Sequence, residues 1–167
     1  MKTKRLTRVA MLTAIALTIF MVEAQIPAPV PVPGVKLGLA NIVTVYAMFL
    51  LGPADTFCIL LCRIFLGSLF FGQLMTLFYS LGGGLVCYTV MLVLRKLVTK
   101  RQIWVCSVIG AIAHNIGQIC VAIWITKTPA LICYLPILMV SGIIAGFFTG
   151  LCAQFLVNRM GRIRCNE

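Results

Sequence analysis

Apolar residues along the chain gather into runs that match the thickness of a lipid bilayer. A helix needs about 20 mostly apolar residues to cross a hydrocarbon core of roughly 30 Å. The pattern predicts helices over 6–23, 37–51, 56–71, 74–94, 103–125 and 130–157, the second of them short. Turn formers separate the runs at Gly52-Pro53-Ala54-Asp55, Gly72-Gln73 and Lys127-Thr128-Pro129. Gln25 to Lys36 carries four alternating prolines, Pro27, Pro29, Pro31 and Pro33. These remove backbone donors and fix φ, so the segment is expected to be extended and to lie on or fold into the outer face of a bundle. Gly82-Gly83-Gly84 in the fourth run permits close helix approach or a local break, and Pro136 is expected to interrupt the sixth. The other glycines read as scattered, and no internal repeat stands out. The fold class is therefore an all-α integral membrane protein, a compact six-helix transmembrane bundle forming one domain over 1–167.

Composition agrees with this. Of 167 residues, 62% are hydrophobic and 10% charged, with a mean hydropathy of +1.10. A soluble domain covers its surface with roughly 25% charged residues.

The net charge of +11 raises nucleic acid as a partner, but the positions of the charges argue against it. Lys2, Lys4, Arg5 and Arg8 precede the first run. Arg95, Lys96, Lys100 and Arg101 lie between the fourth and fifth. Arg159, Arg162 and Arg164 follow the last. These are eleven of the fourteen basic residues, and they fall after zero, four and six crossings. The positive-inside rule then puts all three flanks, and both termini, in the cytoplasm beside anionic lipid headgroups. The expected location is the bacterial cytoplasmic membrane, as a multi-pass protein. A signal peptide is the competing reading of the first run, though Val22-Glu23-Ala24-Gln25 is a poor cleavage site.

Little in the chain suggests bond-making chemistry, and no catalytic residue is assigned. The acids number three, Glu23, Asp55 and Glu167. Joining prenyl diphosphates requires clustered carboxylates to hold Mg²⁺ against the diphosphate oxygens. Eight cysteines, Cys58, Cys62, Cys87, Cys106, Cys120, Cys133, Cys152 and Cys165, form no CxxC pair. They and the single histidine lack the spacing of a metal site. Small apolar packing is the plain reading of these thiols.

The polar residues inside the runs are more informative. Arg63 sits near the middle of the third predicted helix, where an arginine costs at least about 2.5 kcal/mol on insertion scales. Asp55 lies about two turns away and Glu23 near the outer face, so no acid is expected at its depth. A guanidinium so placed binds carboxylate or phosphate through a rigid fork; an anionic ligand, Glu23 or backbone carbonyls could each supply the partner. His114 and Gln118 share a helix face with Asn115 beside them. Either helix–helix hydrogen bonding or ligand contact explains them. Asn41 opens the second helix, with Lys36 before it. Together Arg63, Asn41, His114, Asn115, Gln118 and Lys36 describe a ligand-binding pocket open to the outside, positive on balance and apolar-walled.

Three stretches carry a resemblance over nearly the whole chain: Pro33-Gly34-Val35-Lys36-Leu37-Gly38-Leu39-Ala40-Asn41-Ile42-Val43-Thr44, Arg63 to Gly72, and Ala113-His114-Asn115-Ile116-Gly117-Gln118. Together they resemble the Gx transporter family, labelled heptaprenyl diphosphate synthase component I. That family is similar to the S components of energy-coupling factor transporters. The resemblance implies six helices, cytoplasmic termini and capture of a vitamin-like ligand from outside. It also implies toppling in the membrane, driven by a coupling transmembrane protein and two ATPases. The chain has no P-loop of its own. Ala10 and Ala14 match the Ala-x-x-x-Ala motif by which the first helix of an S component docks on the coupling protein.

Members are also associated with flavin-based extracellular electron transfer, with a small extracytoplasmic protein and the quinone pool as partners. Three readings follow. The first is a substrate-binding importer subunit for a small anionic or isoprenoid-like molecule. The second is a membrane subunit between quinol and flavin. The third is a non-catalytic partner of a prenyl diphosphate synthase. No resident cofactor is required; flavin, quinone and prenyl phosphate are the candidate bound groups.

Overall fold

The computed structural model describes residues 2–25, 38–71, 74–99 and 102–165. Six helices account for nearly all of them: α1 (Lys2–Gln25), α2 (Asn41–Leu50), α3 (Pro53–Phe71), α4 (Leu74–Leu97), α5 (Ile103–Thr126) and α6 (Leu135–Cys165). A 3-10 turn, Pro129–Tyr134, leads into α6. Five helices are long and apolar enough to cross a membrane, and α2 is the shorter sixth. Large apolar side chains face outward, including Leu69, Phe70, Trp124 and Phe155. In water such a surface would aggregate; against lipid tails it is solvated. The chain is thus a multi-pass helical membrane protein.

Two predicted helix starts shift for local reasons. α2 begins at Asn41, not at 37, because Gly38 adopts φ +78° and closes a turn in which the Asn41 N–H donates to the Gly38 carbonyl at 2.9 Å. α3 begins at Pro53, at the first helical position where the missing N–H is harmless. Gly52, at φ +111°, makes the reversal between α2 and α3. Pro136 does not interrupt the sixth helix. It sits at the second position of α6, where the helix needs no N–H from it. The Gly82–Gly84 triplet leaves α4 unbroken. The proline-rich segment falls outside the described residues.

α2 is the centre of the bundle. Val43 and Ala47 pack with Ala16 of α1 and Ile59 of α3. Val45 and Met48 pack with Cys87 and Met91 of α4, Ile103 and Cys106 of α5, and Ala153 and Val157 of α6.

The α4–α5–α6 side is assembled through glycines. A Cβ placed on Gly117 would stand 2.9 Å from the Gly82 carbonyl oxygen and 3.0 Å from the Gly83 Cα. Gly142, Gly146 and Gly150 form one small-residue face of α6. A Cβ at Gly146 would lie 2.9 Å from the Val108 Cα, and one at Gly150 would lie 2.7 Å from the Trp104 Cα. Such residues let backbones approach until dispersion and interhelical hydrogen bonds hold them.

Antiparallel packing places like ends together. Arg5 pairs with Asp55 at 2.6 Å, joining the N-terminal ends of α1 and α3. The Tyr88 hydroxyl donates to the Pro53 carbonyl at 3.1 Å, which brings the C-terminal half of α4 to that same end. The Trp104 N–H reaches Gln154 Oε1 at 3.5 Å across α5 and α6. Arg5, Arg8, Arg95, Lys96 and Arg159 therefore gather at one end of the molecule.

Candidate functional site

Between the middle of the bundle and the opposite end lies a set of buried polar side chains: Glu23, Asn41, Thr44, Arg63, Thr76, His114, Asn115 and Gln118. Each is set by an element already described. Glu23 is in the last turn of α1. Gly38 turns the chain back so that Asn41 opens α2 beside it. Arg63 projects from α3, and Gly84 of α4 lets α3 approach, its missing Cβ leaving room for Ile64 and Leu60.

Arg63 is 6% exposed. Among the described residues its guanidinium makes no direct ion pair and no hydrogen bond. The groups whose electrostatics reach it are Glu23, Cys87 and His114. Glu23 is buried, at 4% exposure, and turned inward because its carboxylate accepts the backbone N–H groups of Gly38 and Ala40. Those N–H groups precede α2 and have no helical partner, so an anion there satisfies them. Glu23 therefore offsets part of the Arg63 charge from a distance while its oxygens are occupied by backbone.

His114 lies against α4. Its ring packs on Gly83, where a Cβ would stand 3.0 Å from His114 Cε1, and its Nδ1 is buried with no hydrogen-bond partner among the described residues. Gln118, one turn on, packs against Gly83, where a Cβ would come within 2.6 Å of Gln118 Cγ. Asn115 has a different part. Its Nδ2 donates to the Leu138 carbonyl at 2.6 Å and so ties α5 to the start of α6. Of the six expected ligand-binding residues, Arg63 and His114 are brought into electrostatic reach of one another, with Gln118 beside His114. Asn115 faces α6. Asn41 is buried at the start of α2, its Nδ2 3.2 Å from where a Gly38 Cβ would stand. Lys36 lies outside the described residues. Ala10 and Ala14, expected to dock a partner, are both exposed on α1.

Two participants stand outside the six expected ligand-binding residues. Gly83 supports the His114 ring and Gln118 at once; its place four residues before Cys87 in a glycine triplet was the available signal. Glu23 reads from the sequence as an outer-face acid and one possible partner of Arg63, and nothing local in sequence reveals which backbone it will meet. Among the described residues, no group of three or more His, Cys, Asp or Glu side chains is placed to hold a metal ion. Cys58 and Cys62 are exposed on α3, while Cys87 and Cys106 are buried.

Fold and cluster together define a polytopic helical membrane protein with a cationic centre buried in its bundle. A family profile described as heptaprenyl diphosphate synthase component I matches residues 12–156. The match spans most of the chain, which therefore belongs to that family. No curated protein and no solved structure matches it.

Proposed function

We propose that the protein is a ligand-binding subunit of the bacterial cytoplasmic membrane. It captures a small anionic molecule with an isoprenoid-like or vitamin-like apolar part, in the manner of an energy-coupling-factor importer. The observation that carries this reading is Arg63: a buried guanidinium without a direct partner among the described residues, its nearest acid already engaged by backbone. Such a group is costly to bury unless a charge meets it, and its fork suits carboxylate or phosphate. His114, Gln118 and Asn41 would contact the polar part of the ligand, and Lys36 would attract it at the entrance. Asn115 would hold the α5–α6 frame. The basic clusters at one end support an orientation with both termini in the cytoplasm. The ligand would then enter from outside, and the exposed Ala10–Ala14 face of α1 would meet a coupling protein and its ATPases.

A second reading has its own support. The family name points to work beside a heptaprenyl diphosphate synthase. In that setting the chain would hold or present a prenyl phosphate, while a partner supplied the Mg²⁺-binding carboxylates.

Native mass spectrometry of the gently purified protein tests both. A co-purified prenyl phosphate or other anion that disappears in Arg63→Ala is the expected result. Retention of the same ligand by Arg63→Ala would refute the site. A bound flavin or quinone would instead favour a role in extracellular electron transfer. Loss of a charged hydrogen bond lowers affinity by about ten- to a hundredfold.

A further inference from the structure

The two tryptophans of the chain, Trp104 and Trp124, stand twenty residues apart on α5. A helix of that length rises by about 30 Å, the thickness of a bilayer's hydrocarbon core. Trp104 is fixed by protein. Its ring meets Phe147 edge to face at 5.7 Å, its N–H reaches Gln154 at 3.5 Å, and Gly150 leaves room for its backbone. Trp104 therefore marks the level of Gly150 and Gln154 on α6, at the end where the basic residues gather. Counting back twenty residues from Gln154 reaches Tyr134, the last residue of the 3-10 turn. Two helices thus agree on one level at the opposite end of the bundle, with Trp124 and Tyr134 on it.

Trp124 itself is 71% exposed. No residue of the mostly apolar turn Pro129–Tyr134 is buried, and Ile132 and Tyr134 face outward. Lys127 closes α5 at φ 55°, in a left-handed cap that favours glycine. Glycine would close the helix at lower cost but would bring no charge. The Lys127 ammonium stands 5.9 Å from the centre of the Trp124 ring. Among the described residues it makes no ion pair, because Asp55 is held by Arg5 and Glu23 by the Gly38 and Ala40 N–H groups. We infer that Trp124, Lys127, Ile132 and Tyr134 form a docking surface for an anionic phospholipid in the leaflet at this end. The two rings lie at the head-group level, Ile132 enters the acyl chains, and the Lys127 ammonium meets the lipid phosphate. Lipid fits this surface better than a protein partner does. The patch lies on the counted boundary, not beyond it, and amphipathic rings beside a cation match a layer that is apolar below and phosphate-bearing above. The surface is independent of the cluster around Arg63.

The test uses the full chain in vesicles, and the indole fluorescence that Trp124→Phe removes is read as the Trp124 signal. The probes are phosphatidylcholine and phosphatidylglycerol brominated on the upper part of their acyl chains, each diluted into unlabelled phosphatidylcholine. Both should quench Trp124, while acrylamide in the water quenches it little. Phosphatidylglycerol should do so at a mole fraction lower by about two- to fivefold, the worth of one lysine near a membrane surface. Lys127→Gln should bring the two lipids level, and Lys127→Arg should keep the preference. Trp104→Phe, which leaves Trp124 as the sole indole, reads the same signal directly; the subtraction with the exposed Trp124 stands even where that variant misfolds. Strong quenching by acrylamide with none by brominated lipid overturns the lipid surface. Equal quenching by the two lipids in the wild type, or a preference unchanged in Lys127→Gln, overturns the anionic head group as its partner.

Discussion

The two sides of the bundle are held together by different means. On one, α4, α5 and α6 meet through Gly82, Gly83, Gly117, Gly142, Gly146 and Gly150, with backbone against backbone and little space for any side chain. Polar groups there are absorbed into the frame: Asn115 on the Leu138 carbonyl, and Ser107 with Thr149 at 3.1 Å. On the other, α1, α2 and α3 meet through ordinary aliphatic packing and two carboxylates. Asp55 pairs with Arg5 at one end, and Glu23 gathers the N–H groups before α2 near the other. The glycine side can change little without its backbones moving apart. The carboxylate side rests on charge and hydrogen bonding, which a ligand or a neighbouring protein can alter. The cluster around Arg63 lies where the two meet, with His114 from the first side and Arg63 and Glu23 from the second.

This contrast is open to direct tests in detergent, read as the midpoint of unfolding. Gly150→Ala should have the largest effect, about 2–3 kcal/mol, because the new methyl meets the Trp104 backbone rather than a side chain that can swing away. If it costs no more than a surface change, the account of the glycine side is wrong. Glu23→Gln should follow at about 1.5 kcal/mol, since an amide keeps an acceptor but loses the charge that draws the Gly38 and Ala40 N–H groups. An unchanged midpoint would show that α2 is positioned without Glu23. Asn115→Ala should lose about 1 kcal/mol, the usual worth of an interhelical hydrogen bond in a membrane. Equal losses of ligand affinity in Asn115→Ala and Arg63→Ala would return Asn115 to the binding residues. Arg5→Ala should scarcely move the midpoint, because the pair with Asp55 is exposed and screened. A large drop there would mean that the carboxylate side depends on its solvent-facing end.

Legibility in the sequence follows the same division. Long apolar runs set the five spanning helices, and the basic flanks were matched by ends that pack together. The α2 boundary was overestimated because hydropathy continues unbroken through Leu37 and Leu39 while the backbone turns at Gly38. Pro136 suggested a break because its position relative to the helix start depends on the preceding 3-10 turn. The glycines look scattered along the chain, yet Gly142, Gly146 and Gly150 recur every fourth residue, a spacing that sequence does display. Arg63 and His114 could be singled out because polar residues at membrane depth are rare. The inward turn of Glu23 could not, because its partners lie fifteen and seventeen residues away beyond a proline-rich segment.

The ten residues of α2 amount to roughly 15 Å of helix, about half the hydrocarbon thickness. A core element of that height leaves the rest of its column to be completed by other backbone, which at such depth is tolerated only when enclosed by protein or lining an aqueous space. A hydrophilic molecule arriving over the Asn41 end would thus face a shortened dielectric barrier, and inserting about three helical turns there would restore the full insulating thickness.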